Sequence, residues 1–197
     1  MIRPHRRLST LLAAVLLATA LLATALPASA ATWEIDGLHS SAVFKVKHLE
    51  TAYFYGVFGD VQGTITYDPN APANSSIDVT IDAQSVDTRN ANRDEHVKSP
   101  DFLNAKQFPT ITFKSKSVEA SGDDLRITGD LTLLGETREI TVTATKTGQG
   151  TNPRSQKEMV GFHSEFTVDR TDHGMNFMAG PLGSEITFIL SLEAQKQ

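Results

Sequence analysis

Past Ala30 the chain alternates apolar and polar residues one by one, and few patterns restrict a fold more tightly. Ile77, Val79 and Ile81 are separated by Asp78 and Thr80. Leu125, Ile127, Leu131 and Leu133 share one parity, with Gly129 among them, while Arg126, Thr128, Asp130 and Thr132 hold the other. Ile140, Val142 and Ala144 alternate with threonines, and Ile186, Phe188, Leu190 and Leu192 alternate with Glu185, Thr187, Ile189 and Ser191. Successive side chains of a strand point to opposite sides, so period two with β-branched enrichment means strands with one dry and one wet face. The pattern predicts strands at about 33–36, 41–48, 53–67 (bent or broken at a glycine), 76–87, 109–119, 124–134, 137–147, 159–169 and 184–194. Asp68 to Pro72, Ser121 to Asp124, Gly135-Glu136 and Gly148 to Pro153 carry turn chemistry. Links this short join antiparallel neighbours.

One segment departs from the alternation. Thr88 to Lys98 is polar, lacks Gly and Pro, and ends before Ser99-Pro100, so it predicts a short helix capped by Asn90 or Asn92. It has too little apolar surface for a core helix and is expected at an edge or rim. No internal repeat or linker divides the chain, which makes residues 31–197 one domain. So many strands in so few residues form a sandwich or a closed barrel, because open sheets leave adhesive edges. Glycines within strands (Gly56, Gly59, Gly63, Gly129, Gly161) suit the bends of coiled barrel strands and favour the barrel. The fold class expected is all-β: an antiparallel barrel of about eight strands with one short helix.

The N-terminus reads as an address. Arg3, Arg6 and Arg7 precede a largely apolar run from Leu8 to Leu26, then Pro27 and Ala28-Ser29-Ala30. A basic start, an apolar stretch and an A-x-A site form a secretory signal peptide, with cleavage expected after Ala30. The rival is an uncleaved membrane anchor, since the run is longer than most signal cores. The Arg6-Arg7 pair leaves the general secretory and twin-arginine routes both open. Removing residues 1–30 takes three of 18 basic residues and none of 23 acidic ones, leaving 167 residues with a net charge of −8. An acidic surface argues against nucleic acid as a partner, and against electrostatic docking on anionic lipid. With no cysteine, disulfides and thiolate metal sites are excluded. The mature domain is expected to be exported, periplasmic or secreted, and without a stable membrane anchor.

No catalytic constellation is visible. The five mature histidines (His39, His48, His96, His163, His173) contain no HxH or HExxH pair, and no metal site is expected. His163 and His173 would be the pair to meet across a hairpin, with Asp169 or Asp172. No G-x-S-x-G elbow occurs, and the paired carboxylates Asp94-Glu95 and Asp123-Asp124 fall on helix or turn surface. No cofactor is implied. What remains is an apolar interior rich in Phe, Tyr, Val, Ile and Leu, which is core filler in a filled barrel and cavity wall in a hollow one.

Longer motifs then stand out: WEIDGLHSSAVFKVKHL, FYGVFGDVQGTITYD, NRDEHVKSPDFLNAKQFPTITFKS, ITGDLTLLGETREITV and FTVDRTDHGM. In order and spacing, across essentially the whole mature chain, they resemble the YceI-like family. The resemblance implies an extended lipocalin-like barrel, secreted or periplasmic, with a long apolar pocket for a polyisoprenoid chain such as an isoprenoid quinone or a prenyl lipid. It supplies no catalytic residues. Parity groups Phe44, Val46 and His48 on one face of their strand, and Tyr53, Tyr55 and Val57 on one face of the next, against Phe54 and Phe58 on the other. These first two groups, with Phe113 and Phe188, are the candidate cavity lining, and which face points inward stays open. Three readings follow: a lipid-binding protein, an enzyme using His48 or His163 at the barrel mouth, and a ligand-free structural domain.

Overall fold

The computed structural model describes residues 30–197, so the expected signal peptide lies outside the described residues but for Ala30. Eleven strands follow: β1 Ala31–Ile35, β2 Ser41–His48, β3 Ala52–Phe58, β4 Val61–Tyr67, β5 Ser76–Asp82, β6 Val86–Asp87, β7 Thr110–Ser121, β8 Asp124–Leu133, β9 Glu136–Thr151, β10 Glu158–Asp169 and β11 Leu182–Lys196. One helix, α1 Ala91–Lys98, lies between β6 and β7.

Six of the eleven strands are halves of three longer ones. β1 and β2 both pair with β11 in one running direction, Ile35 opposite Ala194 and Ser41 opposite Ser191. β4 pairs with β1 and β3 with β2, and β5 and β6 continue beside β4 and β3 in turn. The ring β1/β2, β3/β4, β5/β6, β7, β8, β9, β10 and β11 therefore closes as an eight-stranded antiparallel barrel, each strand beside the next in sequence and the last beside the first. Closure removes the free edges that an open sheet leaves.

The three interruptions sit side by side. Gly59 breaks the predicted 53–67 strand, and its N–H donates to the Ser85 carbonyl at 3.1 Å. Asp60 N–H donates to Ser85 Oγ, and Asp82 N–H to the Asp60 carbonyl at 3.0 Å. At the third break the Asp36 carboxylate accepts from Leu38 N–H at 3.0 Å and from His39 Nδ1 at 2.8 Å. Three adjacent strands thus bend together, the breaks of β3/β4 and β5/β6 bonded to each other and that of β1/β2 closed by the Asp36 side chain.

Inward positions form one core: Trp33, Phe44, Ile65, Ile81, Val118, Leu131, Val142, Phe162 and Ala194 are all buried. One turn expectation is corrected. Gly148 to Thr151 do not turn but continue β9, pairing Gln149 with Val160 and Gly150 with Met159, with a bulge at Gly161/Phe162. Turning begins at Asn152, whose side chain accepts from Arg154 and Ser155 N–H. Glycine in an extended pair has no φ penalty, so composition alone misplaced the boundary.

Helix α1 is capped by Asn90, which accepts from Arg93 N–H at 3.1 Å, and buries none of its own residues. It is held by the segment after it: Leu103 and Ala105 are buried and donate their N–H groups to the Val97 and Lys98 carbonyls. β3 meets β6 only at Val57 and Phe58, so Ala52 to Gly56 have no strand on that side. There α1 takes over as wall, the Arg93 guanidinium 4.4 Å above the Phe54 ring.

Candidate functional site

Two cavities follow one another along the barrel axis. The larger, about 440 Å³, lies at the end framed by α1, the β2–β3 hairpin and the β10–β11 loop. The smaller, about 70 Å³, lies deeper between β4, β5, β7, β8, β9, β10 and β11, among Ile77, Val79, Phe113, Leu131, Val142 and Phe162. Ile111 and Phe188 line both and form the neck between them. The larger volume is within the range of small-molecule sites, and its walls are mostly apolar: Phe44, Val46, Phe58, Leu133, Ile186 and Phe188.

Formal charge on the wall of the larger cavity has one sign. Arg93, His96, His48 and Arg170 border the larger cavity, and among the described residues no Asp or Glu lines it. Arg93 is oriented by Thr88, donating to its hydroxyl at 2.9 Å and its carbonyl at 2.6 Å. Asp94 accepts from both Thr88 N–H and hydroxyl, and the hydroxyl bond above all holds its carboxyl below the usual range. His96 stacks edge-on with Phe102 and Phe177 at 5.0 and 5.5 Å and bonds to Asp101 at 2.9 Å.

Arg170 is 1% exposed. Its guanidinium donates to four backbone carbonyls: Gly183 at 2.9 Å, Met175 at 2.5 Å, and Phe177 and Leu182 at 3.0 Å each. Burial lowers its pKa from the ordinary value, with the Asp169 charge opposing. Four carbonyl dipoles replace the water that a buried charge requires. The β10–β11 loop, one wall of the mouth, is folded around this side chain.

Of the residues chosen from sequence, Phe44, Val46 and Phe188 are buried in the larger cavity's wall, and Phe113 lines the smaller one. His48 lies at the rim. The β3 assignment is corrected: Tyr53, Tyr55 and Val57 are 58%, 53% and 42% exposed, with only Tyr53 reaching the mouth. The register decides this. Val46 pairs with Phe54, Phe44 with Gly56 and Ala42 with Phe58, and directly opposed residues point to the same side. Gly56 is required there, because a Cβ would run into the Phe44 ring. Phe54 and Phe58 are therefore cavity wall. Sequence reading also missed Arg93, Arg170, Phe102, Met175 and Met178. The Gly56 interruption of an aromatic strand was the one signal that bore on this face.

The histidines weighed for a metal do not meet. His163 lines the small cavity, while His173 is buried in the turn Arg170–His173, its Nδ1 3.0 Å from the Glu136 carbonyl. Asp36, His39 and Glu193 do converge outside the barrel, near enough for a cation. The His39–Asp36 hydrogen bond already joins two of them, raising the imidazole pKa and lowering the carboxyl's.

A model of the YceI-like domain matches residues 33–194. Protein YceI of Escherichia coli O17:K52:H18 is 42% identical over 170 residues, covering 85% of this chain and 88% of the relative. The crystal structure of the Campylobacter jejuni YceI protein superposes with a TM-score of 0.68 at 32% identity, covering 77% of this chain and 90% of that one. A polyisoprenoid binding domain from Saccharophagus degradans shares the fold, with a TM-score of 0.62 at 14% identity, over 85% of this chain and 99% of that one. With the match spanning the barrel from β1 to β11, the chain belongs to the YceI-like family.

Proposed function

We propose that this protein binds a long apolar lipid of the polyisoprenoid class, an isoprenoid quinone or prenyl lipid, with its chain along the barrel axis and its polar head at the mouth. The observation that carries the reading is the cavity of about 440 Å³, apolar in its depth and bordered at its opening by Arg93, His96, His48 and Arg170 without a carboxylate among the described lining residues. A head group that accepts hydrogen bonds suits that opening. Burying about ten CH₂ groups contributes roughly 8 kcal/mol, a gross affinity near micromolar before the costs of association. The Saccharophagus degradans domain, which carries this fold, is described as polyisoprenoid binding.

Binding is favoured over catalysis because the two histidines that an enzyme would draw on line different cavities, His48 at the rim and His163 in the depth. We further propose that residues 1–30 direct export and are removed, so that the barrel carries, stores or sequesters its lipid outside the cytoplasm. Among the described residues no helix is long and apolar enough to cross a membrane. Organic extraction of natively expressed protein, followed by mass spectrometry, is expected to release a prenyl species. An empty extract, with no uptake of added isoprenoid, would refute the reading. Intact mass should place the mature N-terminus at Ala31, and retention of residues 1–30 would refute the export proposal.

A further inference from the structure

Six of the seven large apolar side chains exposed among the described residues belong to the two segments that frame the mouth. Leu49, Tyr53, Tyr55 and Val57 are on the β2–β3 hairpin, and Phe177 and Met178 on the β10–β11 loop. The segments are joined where Leu49 N–H donates to the Pro181 carbonyl at 2.8 Å. An exposed apolar patch rimmed by polar groups marks an interaction surface. This one is continuous with the cavity, because Tyr53 and Met178 also line it.

The chemistry of the patch selects the partner. On the outer face of the hairpin, Lys45 and Lys47 hold their ammonium groups 5.1 and 5.3 Å from the Tyr53 ring centre. Lys45 approaches Glu165 at 3.7 Å, Lys47 makes no ion pair among the described residues, and Glu50 is the carboxylate at the hairpin tip. Tyrosine rings beside lysines are the side chains that settle at the head-group level of a bilayer, with the apolar body inward and the charge in water. The mature chain is acidic overall, whereas here Lys45 and Lys47 match Glu165 and Glu50 in number, so the aromatic and apolar side chains carry the docking and the lysines beside Tyr53 supply its preference for anionic head groups.

We infer that the face formed by Leu49, Tyr53, Tyr55 and Met178, with Lys45 and Lys47, docks reversibly on an anionic lipid surface with the cavity mouth against the bilayer. The inference rests on the lipid-binding reading above. A chain that slides from membrane to barrel through a seated mouth never enters water. Exposed loop tips at the opening provide that seat, and a barrel serving a water-soluble ligand has no use for it.

The test uses the chain begun at Ala31, since the barrel closes without any earlier residue, and flotation with vesicles of phosphatidylcholine, alone or mixed with phosphatidylglycerol. Leu49→Asn with Tyr55→Thr removes two apolar groups that do not line the cavity. Asn suits the positive φ of 48° at position 49, and Thr suits a strand. The native barrel is expected to float with the mixed vesicles, less at high salt. The double variant should lose about tenfold or more of that binding. Its melting temperature and its uptake of farnesol from solution, read by native mass spectrometry, should stay unchanged.

Should the double variant fail to fold, Lys47→Gln gives a second reading, with a loss confined to the mixed vesicles. Absence of binding by the native barrel, or equal binding by the variants, overturns the inference. A dimer that the double substitution dissolves, without vesicle binding, assigns the face to a second copy and also overturns it. Vesicle binding that the substitutions abolish, in a barrel that takes up no farnesol, supports the face and counts against the proposed cargo instead.

Discussion

Arg170→Met removes the charge around which the β10–β11 loop is wrapped, and its cost can be worked from the four bonds. A hydrogen bond from a charged donor nets about 1.5–3 kcal/mol, so four intact bonds set an upper range of about 6–12 kcal/mol. Not all of it is lost. Of the four carbonyls, that of Phe177, a residue 37% exposed, can turn to water, while that of the buried Met175 has less room to do so. Those of Leu182 and Gly183, at the start of β11, have less freedom. The expected loss is about 3–5 kcal/mol, the scale found when a buried charged network is broken. In a domain of this size that lowers the melting temperature by roughly 6–20 °C. Arg170→Lys should lose most of the same amount, because a single ammonium with three donors cannot reach four carbonyls in a fork arrangement. Thermal melting monitored beside limited proteolysis at the loop provides the assay, with both variants cut between β10 and β11 before the barrel opens. A loss under about 1 kcal/mol with unchanged protease resistance would falsify the view that Arg170 organises this wall of the mouth.

Three further outcomes follow from the geometry. Val46→Trp fills the larger cavity and should expel bound lipid at a cost of about 1–3 kcal/mol from crowding, and lipid retained at native occupancy in the purified variant would place the chain elsewhere. Gly56→Ala drives a methyl into the Phe44 ring and should destabilise by about 1–3 kcal/mol in chemical denaturation, whereas a neutral effect would mean that the ring has room to move. For the Asp36–His39 pair, the raised imidazole pKa adds stability that is full below about 6.5 and lost as pH rises through the folded value, while the lowered carboxyl pKa adds stability present above about 3.8 and lost as pH falls through its own. The melting difference between native protein and His39→Gln should therefore peak between these limits, and a difference that does not vary with pH would show that the pair contributes nothing ionic.

The strands were legible because alternation is a property of each strand by itself. Leu125 to Leu133 and Ile186 to Leu192 declare a dry and a wet face wherever they lie, and short turns leave antiparallel neighbours as the only arrangement. A break at one of the glycines within 53–67 was legible because glycine gives the backbone freedom to bend, and Asn90 was one of two candidate caps because an Asn side chain serves the N–H two or three residues ahead. All of this is local chemistry. The side of β3 that faces the barrel is not local. Tyr53, Phe54, Tyr55 and Phe58 offer aromatic rings on both faces, so the hydrophobic pattern has no preference, and the choice falls to the hairpin register that sets Phe54 opposite Val46 and Gly56 opposite Phe44. Arg170 shows the same division from the side of charge. A guanidinium belongs at the surface unless carbonyls converge on it, and the four that do so come together only when residues 175–183 fold back over the turn. Sequence alone determined an all-β chain of about eight alternating strands with a rim helix. Tertiary structure decided which faces enclose the cavity and where its cations stand, because inward and buried are relations between segments and no segment holds them alone.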